Sequence, residues 1–513
     1  MRILLWYRND LRLHDHEALH RAIGQKPTVI VPLYCFDPRQ WWSTGFGFRK
    51  TGAFRTQFLL ESVADLRAGW QRLQSNLVVR QGQPEEIIPQ LVKQHDIDAV
   101  YYHEEVASEE RSVERALRKS LDPRVAIKTF WAHTLYHPGD LPFAMNALPE
   151  LFTTFRKEVE KAASVQPALA APTVVPPLPD IEPGELPTLA ELGMEPVPAD
   201  ARAVLKFSGG ETAGLARLDE YIWKQDCLRV YKETRNGMKG ANDSTKFSPW
   251  LAHGCLSPRM ISENVQHYES QRVSNDSTYW LIFELLWRDY FRFIAKKHGN
   301  RIFHRAGLQR TEIPWVEDPV LFDAWRNGQT GYPLIDANMR ELAATGYMSN
   351  RGRQNVASFL TKNLGVDWRM GAEWFESLLL DYDVSSNWGN WVYAAGVGND
   401  ARGFRYFNIT KQARDYDLKG DYVRHWLPEL AQVPGDLVHE PWKLCAEQQQ
   451  RYGVKIGVDY PRPIVDLFQS AAQNEEIYNR AFKPAAQPYS NRGKPDRSRS
   501  DRRKPYRADS DYS

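Results

Sequence analysis

Asp381 and Asp383 are two carboxylates separated by a single residue. A D-x-D start is typical of a calcium loop, but Ser386 and Val392 occupy the positions that need glycine and glutamate. Carboxylates this close repel each other unless cations or N–H donors lie nearby. The motif therefore predicts a site with opposite charges around it, with an ordinary solvated surface as the alternative.

A second candidate is a hydroxyl-rich loop that leads into a predicted helix. Its hydroxyls, consecutive N–H groups and one lysine can wrap a diphosphate, whereas an ordinary helix N-cap is the alternative. The phosphate-loop pattern G-x-x-x-x-G-K-[ST] does not occur in the sequence. The residues of this loop are Ser244, Thr245, Lys246, Phe247 and Ser248.

A third candidate lies on a strongly apolar helical pattern. Glu284 and Arg288 are four residues apart, in the favourable order for an ion pair, and Trp287 follows Glu284 by one turn. A helix salt bridge beside core aromatics also explains these residues. Nine of the 17 tryptophans lie between 280 and 426. His133 and His137 lack an intervening glutamate, so we expect no metal site.

Length and composition limit the class of protein in which these residues can lie. The 513 residues are 42% hydrophobic and 25% charged, as in globular proteins, and the net charge is only +2. No run of about 18 uncharged apolar residues occurs, so no membrane span is expected. Four widely spaced cysteines indicate a reducing compartment, and the charged N-terminus does not fit a signal peptide, so we expect a cytoplasmic protein.

Periodicity predicts an α/β domain followed by an all-α domain. Strand-like runs alternate with helical patterns over 1–135, which indicates a doubly wound parallel sheet. We predict a connector over 136–205, proline-rich and extended at 166–200, where nine of 32 prolines lie. Helical patterns then dominate 206–483. The tail 484–513 carries eight basic and four acidic residues, and we expect it to be disordered.

The order of the motifs resembles the photolyase/cryptochrome flavoprotein family. The resemblance covers about 1–480, and three variants resemble its cryptochrome-DASH branch: YKETRNGM, FTTFRK and MSNRGRQN. It implies an N-terminal antenna domain, a long linker and a helical domain that holds FAD. The FAD-binding positions that it implies are Tyr231, the loop 244–248, Glu284, Arg288, Asn350, Arg353, Asp381, Asp383 and Asn387.

Within that set the resemblance implies distinct roles. Arg353 answers the charge of Asp381, Asp383 accepts from the flavin N3–H, and Asn387 approaches flavin N5. A row of tryptophans is implied to pass electrons inward, with Trp391 nearest FAD, then Trp368, then Trp315 at the surface. Indole is easily oxidised, which gives the tryptophan cluster a reason beyond packing.

The resemblance also implies a substrate cavity and partners. Glu284, Trp287, Asn350, Gln354 and Tyr393 match the lesion cavity of the family, and Arg235, Arg351 and Arg405 match phosphate-facing positions. Duplex-repairing photolyases carry methionine and tryptophan where Gln354 and Tyr393 stand. A wall with less stacking surface predicts a preference for single-stranded DNA, with RNA as a further candidate partner.

Two hypotheses follow from the resemblance. The first is a light-driven, FAD-dependent enzyme that splits cyclobutane pyrimidine dimers, with Glu284 bonded to the dimer. The second is a blue-light receptor that binds nucleic acid and regulates transcription without repair. A dark flavin oxidoreductase is disfavoured because no nicotinamide fingerprint is present. We also expect a methenyltetrahydrofolate antenna at Glu105, and a monomer.

Overall fold

A five-stranded parallel sheet forms the N-terminal part of the chain. The computed structural model describes residues 1–400 and 403–482, so the basic tail lies outside the described residues. The strand order is β3-β2-β1-β4-β5. Successive strands are added on one side of β1 up to β3, and on the other side of β1 from β4 onwards, so the order reverses between β1 and β4. The strands are β1 (Arg2–Tyr7), β2 (Val29–Phe36), β3 (Val78–Gln81), β4 (Ala99–His103) and β5 (Ala126–Phe130). This confirms the predicted doubly wound sheet.

Four helices connect these strands, because each parallel crossover needs a covering element. Their apolar faces pack on the sheet, as Phe58, Val63, Leu66 and Trp70 show by being almost fully buried. The helices are α1 (Glu17–Gly24), α2 (Ala53–Arg72), α3 (Pro84–Gln94) and α4 (Ser108–Ser120).

The connector behaves partly as its prolines predict. Over 163–210, all of them described, the structure has no helix or strand. Val79 of the edge strand β3 donates its N–H to Pro183 O at 2.7 Å, so the connector covers the edge of the sheet. The periodicity missed one helix within 136–205, namely α5 (Phe152–Ala162). The limits 136 and 205 themselves stay a prediction.

The second part of the chain is helical throughout, as predicted. Its first helices are α6 (Glu211–Asp219), α7 (Tyr231–Thr234), α8 (Ser248–Ala252), α9 (Pro258–Gln271), α10 (Asp276–His298) and α11 (Pro319–Arg326). They are followed by α12 (Pro333–Thr345), α13 (Asn350–Ser358), α14 (Trp368–Leu378) and α15 (Val384–Ala395). The last are α16 (Ile409–Tyr416), α17 (Asp421–Trp426), α18 (Gly435–Val438), α19 (Ala446–Tyr452) and α20 (Leu467–Phe482).

The loop after β1 docks the sheet onto the helical part. Gly254 has φ +67°, and a Cβ there would lie 1.9 Å from Asn9 O, so only glycine allows this approach. Leu11 donates to His253 O at 3.1 Å, and Asp15 forms a buried ion pair with Arg259. One face of the sheet therefore shares a continuous core with the helical part, and the other face has a second core of its own.

Candidate functional site

The two aspartates lie at the start of α15, and cations surround both. Asp381 accepts from Arg353 Nη2 at 2.8 Å, while its Oδ1 is buried with no hydrogen-bond partner among the described residues. Asp383 is the N-cap of α15 and accepts from Ser386 N at 2.7 Å. The arrangement agrees with the predicted counter-charged site and not with a solvated surface.

Helix α10 supplies the charge that faces Asp383. Burial alone would raise the pKa of Asp383, but Arg288 and Arg292 outweigh it and hold that pKa below its usual value. Arg292 Nη1 lies 3.6 Å from Asp383 Oδ2. Asp383 therefore remains a carboxylate, able to accept hydrogen bonds but not to donate one.

The prediction of an ion pair between Glu284 and Arg288 is wrong. Arg288 instead donates to the backbone carbonyls of His133 and Leu251, the latter at 3.1 Å. Glu284 pairs with Arg235 at 2.6 Å, because the residue that follows α7 packs against α10. Tertiary contact thus replaced the pairing that helical spacing alone favours.

Lys246 is a buried cation without a hydrogen-bond acceptor among the described residues, and its Nζ lies 5.5 Å from the centroid of the Tyr347 ring. The residue is only 2% exposed. Burial lowers its pKa to about 8. The backbone there has φ +58°, and Arg217 holds the loop through the carbonyls of Ala241, Ser244 and Thr245.

The N-cap alternative for this loop is not what the structure contains. Helix α8 begins at Ser248 after Phe247, whose side chain caps nothing. Thr245 and Phe247 are buried beside Lys246. Tyr231, on α7, is also buried. Burial raises the pKa of its phenol most, and the carboxylate of Glu284 raises it further. The loop therefore holds one buried ammonium group that lacks a hydrogen-bond acceptor among the described residues.

Asn387 lies one turn into α15, in a fixed orientation. Its Nδ2 donates to Ala372 O at 3.0 Å, and the residue is 8% exposed. The amide is therefore held by α14 through the Ala372 carbonyl.

The three predicted tryptophans are all buried. Trp391 packs edge-on against Phe375 at 5.1 Å, and a Cβ at Gly371 would lie 2.3 Å from its ring. Trp368 donates to Arg305 O at 3.2 Å, and its ring lies 5.7 Å from that of Trp388. Sequence reasoning passed over Trp388, although it precedes Trp391 by one helical turn.

The expectation that Trp315 lies at the surface is wrong. The residue is only 7% exposed, because its segment pairs with the loop before α14 through Val316 N and Gly365 O at 3.0 Å. Arg305 also donates to the Trp315 carbonyl. Solvent reaches this region through a 70 Å³ cavity that Trp315 lines together with Lys362 and Tyr478.

The half-buried ring of Trp287 and the side chain of Glu284, 28% exposed, form a solvent-accessible spot that is called the mouth here. Phe152 of α5 stacks on the Trp287 ring at 3.6 Å between centroids, and Tyr393 meets it edge-on at 6.0 Å. Asn350 and Gln354, both on α13, are exposed. Phe152 was missed as a site residue, although the quoted FTTFRK motif begins with it.

The three candidate phosphate-facing arginines differ. Arg405 is exposed, as expected. Arg351 is 6% exposed and lies over the Tyr416 ring at 4.4 Å, so its expected surface position is wrong. Arg235 is engaged by Glu284, as described above. The buried arginine packs on α16, where its planar cation lies over the negative face of the Tyr416 ring.

Glu105 is engaged deep between the sheet and α10. Its oxygens accept from Arg292 and from Asn9 Nδ2, the latter at 3.1 Å. In the same motif Glu110 is half-buried, its Oε2 is buried without a hydrogen-bond partner among the described residues, and burial raises its pKa to about 7. Glu110 is therefore the carboxyl group of this motif with a free hydrogen-bonding atom.

The structure also brings together Asp10, His16 and His103, which sequence reasoning missed. Their ligand atoms lie within 4.8 Å of one another and are buried. His103 Nδ1 lies 2.6 Å and His16 Nε2 2.9 Å from Asp10 Oδ2, while backbone N–H groups of Ala18 and Leu19 bond the other nitrogens. The cluster is explained as a hydrogen-bonded junction at the end of β1.

Comparison with known proteins decides the family. Residues 3–177 match the family model for DNA photolyase, and residues 280–480 match the FAD binding domain of DNA photolyase. A cryptochrome DASH of Gloeobacter violaceus is 66% identical over 94% of this chain and 96% of that protein. The chain belongs to the photolyase/cryptochrome family, in its cryptochrome-DASH branch.

Solved structures of the family agree with this placement. The crystal structure of a Synechocystis cryptochrome matches with a TM-score of 0.90 at 57% identity, over 93% of this chain and 99% of that one. A class III photolyase of Agrobacterium tumefaciens matches with a TM-score of 0.82 at 28% identity, over 94% and 97%. Among the described residues, every helix is too short or too polar to cross a membrane.

FAD is the cofactor that the family's C-terminal domain binds, and the residues present fit it. Within the described part of the chain, the buried ammonium of Lys246 and the buried Oδ1 of Asp381 both lack hydrogen-bond partners. Such groups are costly unless a ligand satisfies them. A diphosphate suits the cation at Lys246, and a polyhydroxyl chain or ring N–H suits the free oxygen of Asp381. The chain is therefore a flavoprotein of the photolyase/cryptochrome type.

Proposed function

We propose that this flavoprotein uses blue light to split cyclobutane pyrimidine dimers, mainly in single-stranded DNA. The observation that supports it best is the pair Glu284–Arg235, held at 2.6 Å beside Trp287 at a mouth that solvent reaches. A carboxyl group, a cation and an aromatic face together suit a flipped, anionic-backbone substrate. FAD, once bound and reduced, supplies the light-driven one-electron chemistry.

The chain's own residues bind and orient the cofactor in this proposal. The loop 244–248 holds the diphosphate, with Lys246 as its cation and Tyr231 beside it. Arg353 pairs with Asp381 at 2.8 Å, and Arg288 with Arg292 keeps Asp383 charged, so that the two aspartates present acceptors to flavin N–H and hydroxyl groups. Asn387, held by Ala372 O, presents its amide to flavin N5.

Glu284 is proposed to act on the substrate. Burial raises the pKa of Glu284 above its usual value, while Arg235 opposes that rise. A carboxyl group that protonates more readily can donate a hydrogen bond to a dimer carbonyl, where negative charge develops. Arg235 then has a second role, since it holds the carboxyl group in place and faces the phosphate of the same nucleotide.

The strand preference rests on the wall formed by Gln354 and Tyr393. Gln354 is exposed on α13, and Tyr393 reaches Trp287 only edge-on. Stacking a base is worth ~1–3 kcal/mol, and flipping one out of a duplex costs a few kcal/mol. A wall that stacks less gives too little binding free energy to offset the cost of opening a duplex. It still gives enough to bind a dimer that is already unpaired.

A folate antenna would be held between the sheet and the helical part. Glu105 stays the pteridine contact that the resemblance implies, but its oxygens already accept hydrogen bonds from Asn9 and Arg292. We propose Glu110 as the acid that meets the pteridine, because its Oε2 is free and its charge acts on the phenol of Tyr382. Trp388, whose Nε1 bonds Tyr382 at 3.2 Å, supplies an aromatic edge nearby.

The test is blue-light repair of one dimer in single-stranded, looped and fully paired DNA. We expect repair in the first two and little in the third, because a loop already meets the cost of unpairing. Glu284→Gln should lower the repair yield and leave FAD content unchanged. Glu429→Gln is the matched control, since Glu429 pairs with Arg340 at 2.8 Å away from the mouth.

Equal rates on all three substrates would refute the argument about the cavity wall and indicate a general photolyase. No repair on any substrate, with photoreduction intact, would favour the alternative of a blue-light receptor that regulates transcription. The expected contact of Arg405 with phosphate, the monomeric state, a role of RNA and the cytoplasmic location stay predictions.

A further inference from the structure

Glu341, on α12, is a buried acid outside the residues assigned to FAD and DNA. The residue is 1% exposed, and its Oε2 accepts from the phenol of Tyr422, on α17, at 2.6 Å. Asn338, one turn earlier on α12, accepts from the same phenol at 3.0 Å. A carboxyl group this deep is costly in its charged form unless cations lie nearby, so its surroundings decide whether it carries a charge.

The end of α12 joins Glu341 to the cations of the proposed cofactor site. Thr345 donates its hydroxyl to the Glu341 carbonyl at 2.7 Å and accepts from Tyr347 N at 3.1 Å. The centroid of the Tyr347 ring lies 5.5 Å from Lys246 Nζ and 5.6 Å from the guanidinium carbon of Arg353. The chain therefore turns from the acid at 341 to a ring at 347 that contacts both cations.

Three groups from three elements face the Glu341 carboxyl group and favour its charged form. They are Tyr422 on α17, Lys246 in the loop 244–248 and Arg353 on α13. Burial outweighs them and raises the pKa of Glu341 to about 7. Arg353 already pairs with Asp381 at 2.8 Å, so Lys246 is the cation to which Glu341 matters most.

The attraction also acts on Lys246. Burial lowers the pKa of Lys246 most, two arginines lower it further, and two acids raise it. The arginines are Arg217 and Arg353, and the acids are Asp243 and Glu341. A bound diphosphate would supply this ammonium with negative charge of its own, and that charge would disfavour a carboxylate at Glu341. An acid whose pKa is about 7 can then take a proton from water at little cost.

We propose that Glu341 is a positioning residue for the cofactor diphosphate. As a carboxylate it attracts the Lys246 ammonium while the loop holds no ligand, and it takes up a proton from water when the diphosphate binds that ammonium. Glu341 therefore keeps the cation in place before FAD arrives without repelling the phosphates afterwards. The proposal rests on the proposed placement of the diphosphate at Lys246, and it is independent of dimer repair.

A rise of the dissociation constant of FAD with pH follows from this proton uptake. The complex binds more protons than the free protein, so affinity is highest below the free pKa of Glu341 and falls as pH rises through it. From pH 7 to 8.5, Glu341 should weaken FAD binding about tenfold, and Lys246, whose pKa burial lowers to about 8, about fourfold. Dilution of the FAD-loaded full chain, followed by the flavin fluorescence that increases on release, measures this constant at each pH.

Glu341→Gln should remove the share of this pH dependence that belongs to Glu341. Glutamine resembles the protonated acid, so the variant should bind FAD about as tightly as the wild type at pH 6.5 and at least about tenfold more tightly at pH 8.5. A merely structural residue would give the opposite, a weaker complex at every pH. Tyr422→Phe is the second variant: loss of the hydroxyl donor disfavours the carboxylate, so the rise of the dissociation constant should begin at higher pH.

Glu376→Gln is the matched control. Glu376 is also a buried acid whose pKa burial raises to about 7, but the charges that act on it are those of Arg55, Lys50 and Glu109. This variant should keep the pH dependence of the wild type. An unchanged slope or a weaker complex at pH 8.5 in Glu341→Gln, or a loss of the same share in Glu376→Gln, would overturn the proposal.

Lys246→Met separates this outcome from an error in the placement of FAD. If that variant weakens FAD binding while Glu341→Gln keeps the wild-type slope, only the role of Glu341 is wrong. If Lys246→Met leaves the affinity for FAD unchanged, the diphosphate lies elsewhere and the proposal fails together with that placement.

Discussion

Lys246→Met should have opposite effects on the apoprotein and on the FAD complex. In the apoprotein the Lys246 ammonium is buried without an acceptor, and burial lowers its pKa from 10.5 to about 8. At ~1.36 kcal/mol per unit of pKa, this burial costs about 3 kcal/mol of folding stability. Methionine fills similar space without a charge, so the apoprotein variant should be more stable at neutral pH.

The pH dependence gives the sign independently. Below about pH 8 the lysine is charged in both the folded and the unfolded chain, so its full cost is present. Between about 8 and 10.5 the unfolded chain binds more protons, and the stability of the wild-type apoprotein should rise with pH through this group. Urea unfolding of both apoproteins from pH 7 to 10 should therefore show a difference that shrinks as pH rises.

FAD binding should change in the other direction. A charge-assisted hydrogen bond to phosphate contributes ~1.5–3 kcal/mol, so Lys246→Met should weaken FAD about 10- to 150-fold. Lys362→Met is the control, because that buried lysine, whose pKa burial lowers to about 7, donates to Ala395 O at 2.6 Å. It should keep its affinity for FAD, which separates the loss of a phosphate contact from the removal of a buried lysine charge elsewhere. A destabilised Lys246→Met apoprotein, or unchanged FAD affinity in it, would refute the reasoning.

Three further outcomes are expected. Trp391→Phe should retain FAD yet photoreduce far more slowly, since phenylalanine is much harder to oxidise; a wild-type rate with external reductant would show that another route operates. Asn387→Asp should change the absorption spectrum that accumulates under light, because a carboxyl group can supply a proton near N5, and an identical spectrum would place Asn387 elsewhere. Arg353→Gln should cost about 3 kcal/mol in urea unfolding of the apoprotein, whereas adding Asp381→Asn should recover most of it; strictly additive losses would mean that the two groups do not interact.

The sequence carries the parts of this molecule that depend on local spacing. Alternating periods predicted the parallel sheet, and the two close carboxylates predicted the cations that now surround Asp381 and Asp383. What local spacing could not supply is the choice among competing partners in space. Glu284 has one arginine a turn away and another on α7's end, and only the packing of α7 against α10 selects Arg235.

For the same reason, the sequence does not show which charged or aromatic residues become buried. Arg351 reads as a surface arginine until α16 places Tyr416 beneath it, and Trp315 reads as exposed until its segment pairs with the loop at Gly365. Glu105 and Glu110 are equally plausible acids by type. They differ only in what lies opposite them, namely Arg292 and Asn9 for the one and no partner for the free oxygen of the other.

Helix α10 joins the proposed sites because its charged residues recur every four positions. Glu284, Arg288 and Arg292 follow one stripe, and eight residues at 1.5 Å each span about 12 Å. Along that distance the stripe passes from the mouth beside Trp287 to Asp383 and then to Glu105 under the sheet. A capping box at Asn275 fixes where the helix starts, and Asp289 binds the backbone N–H groups of residues 135 and 136, both at 2.9 Å. The register of this one helix therefore places the proposed substrate carboxyl group, the proposed counter-charges of the flavin and the contact with the sheet on one element, so a shift of the helix would move all three.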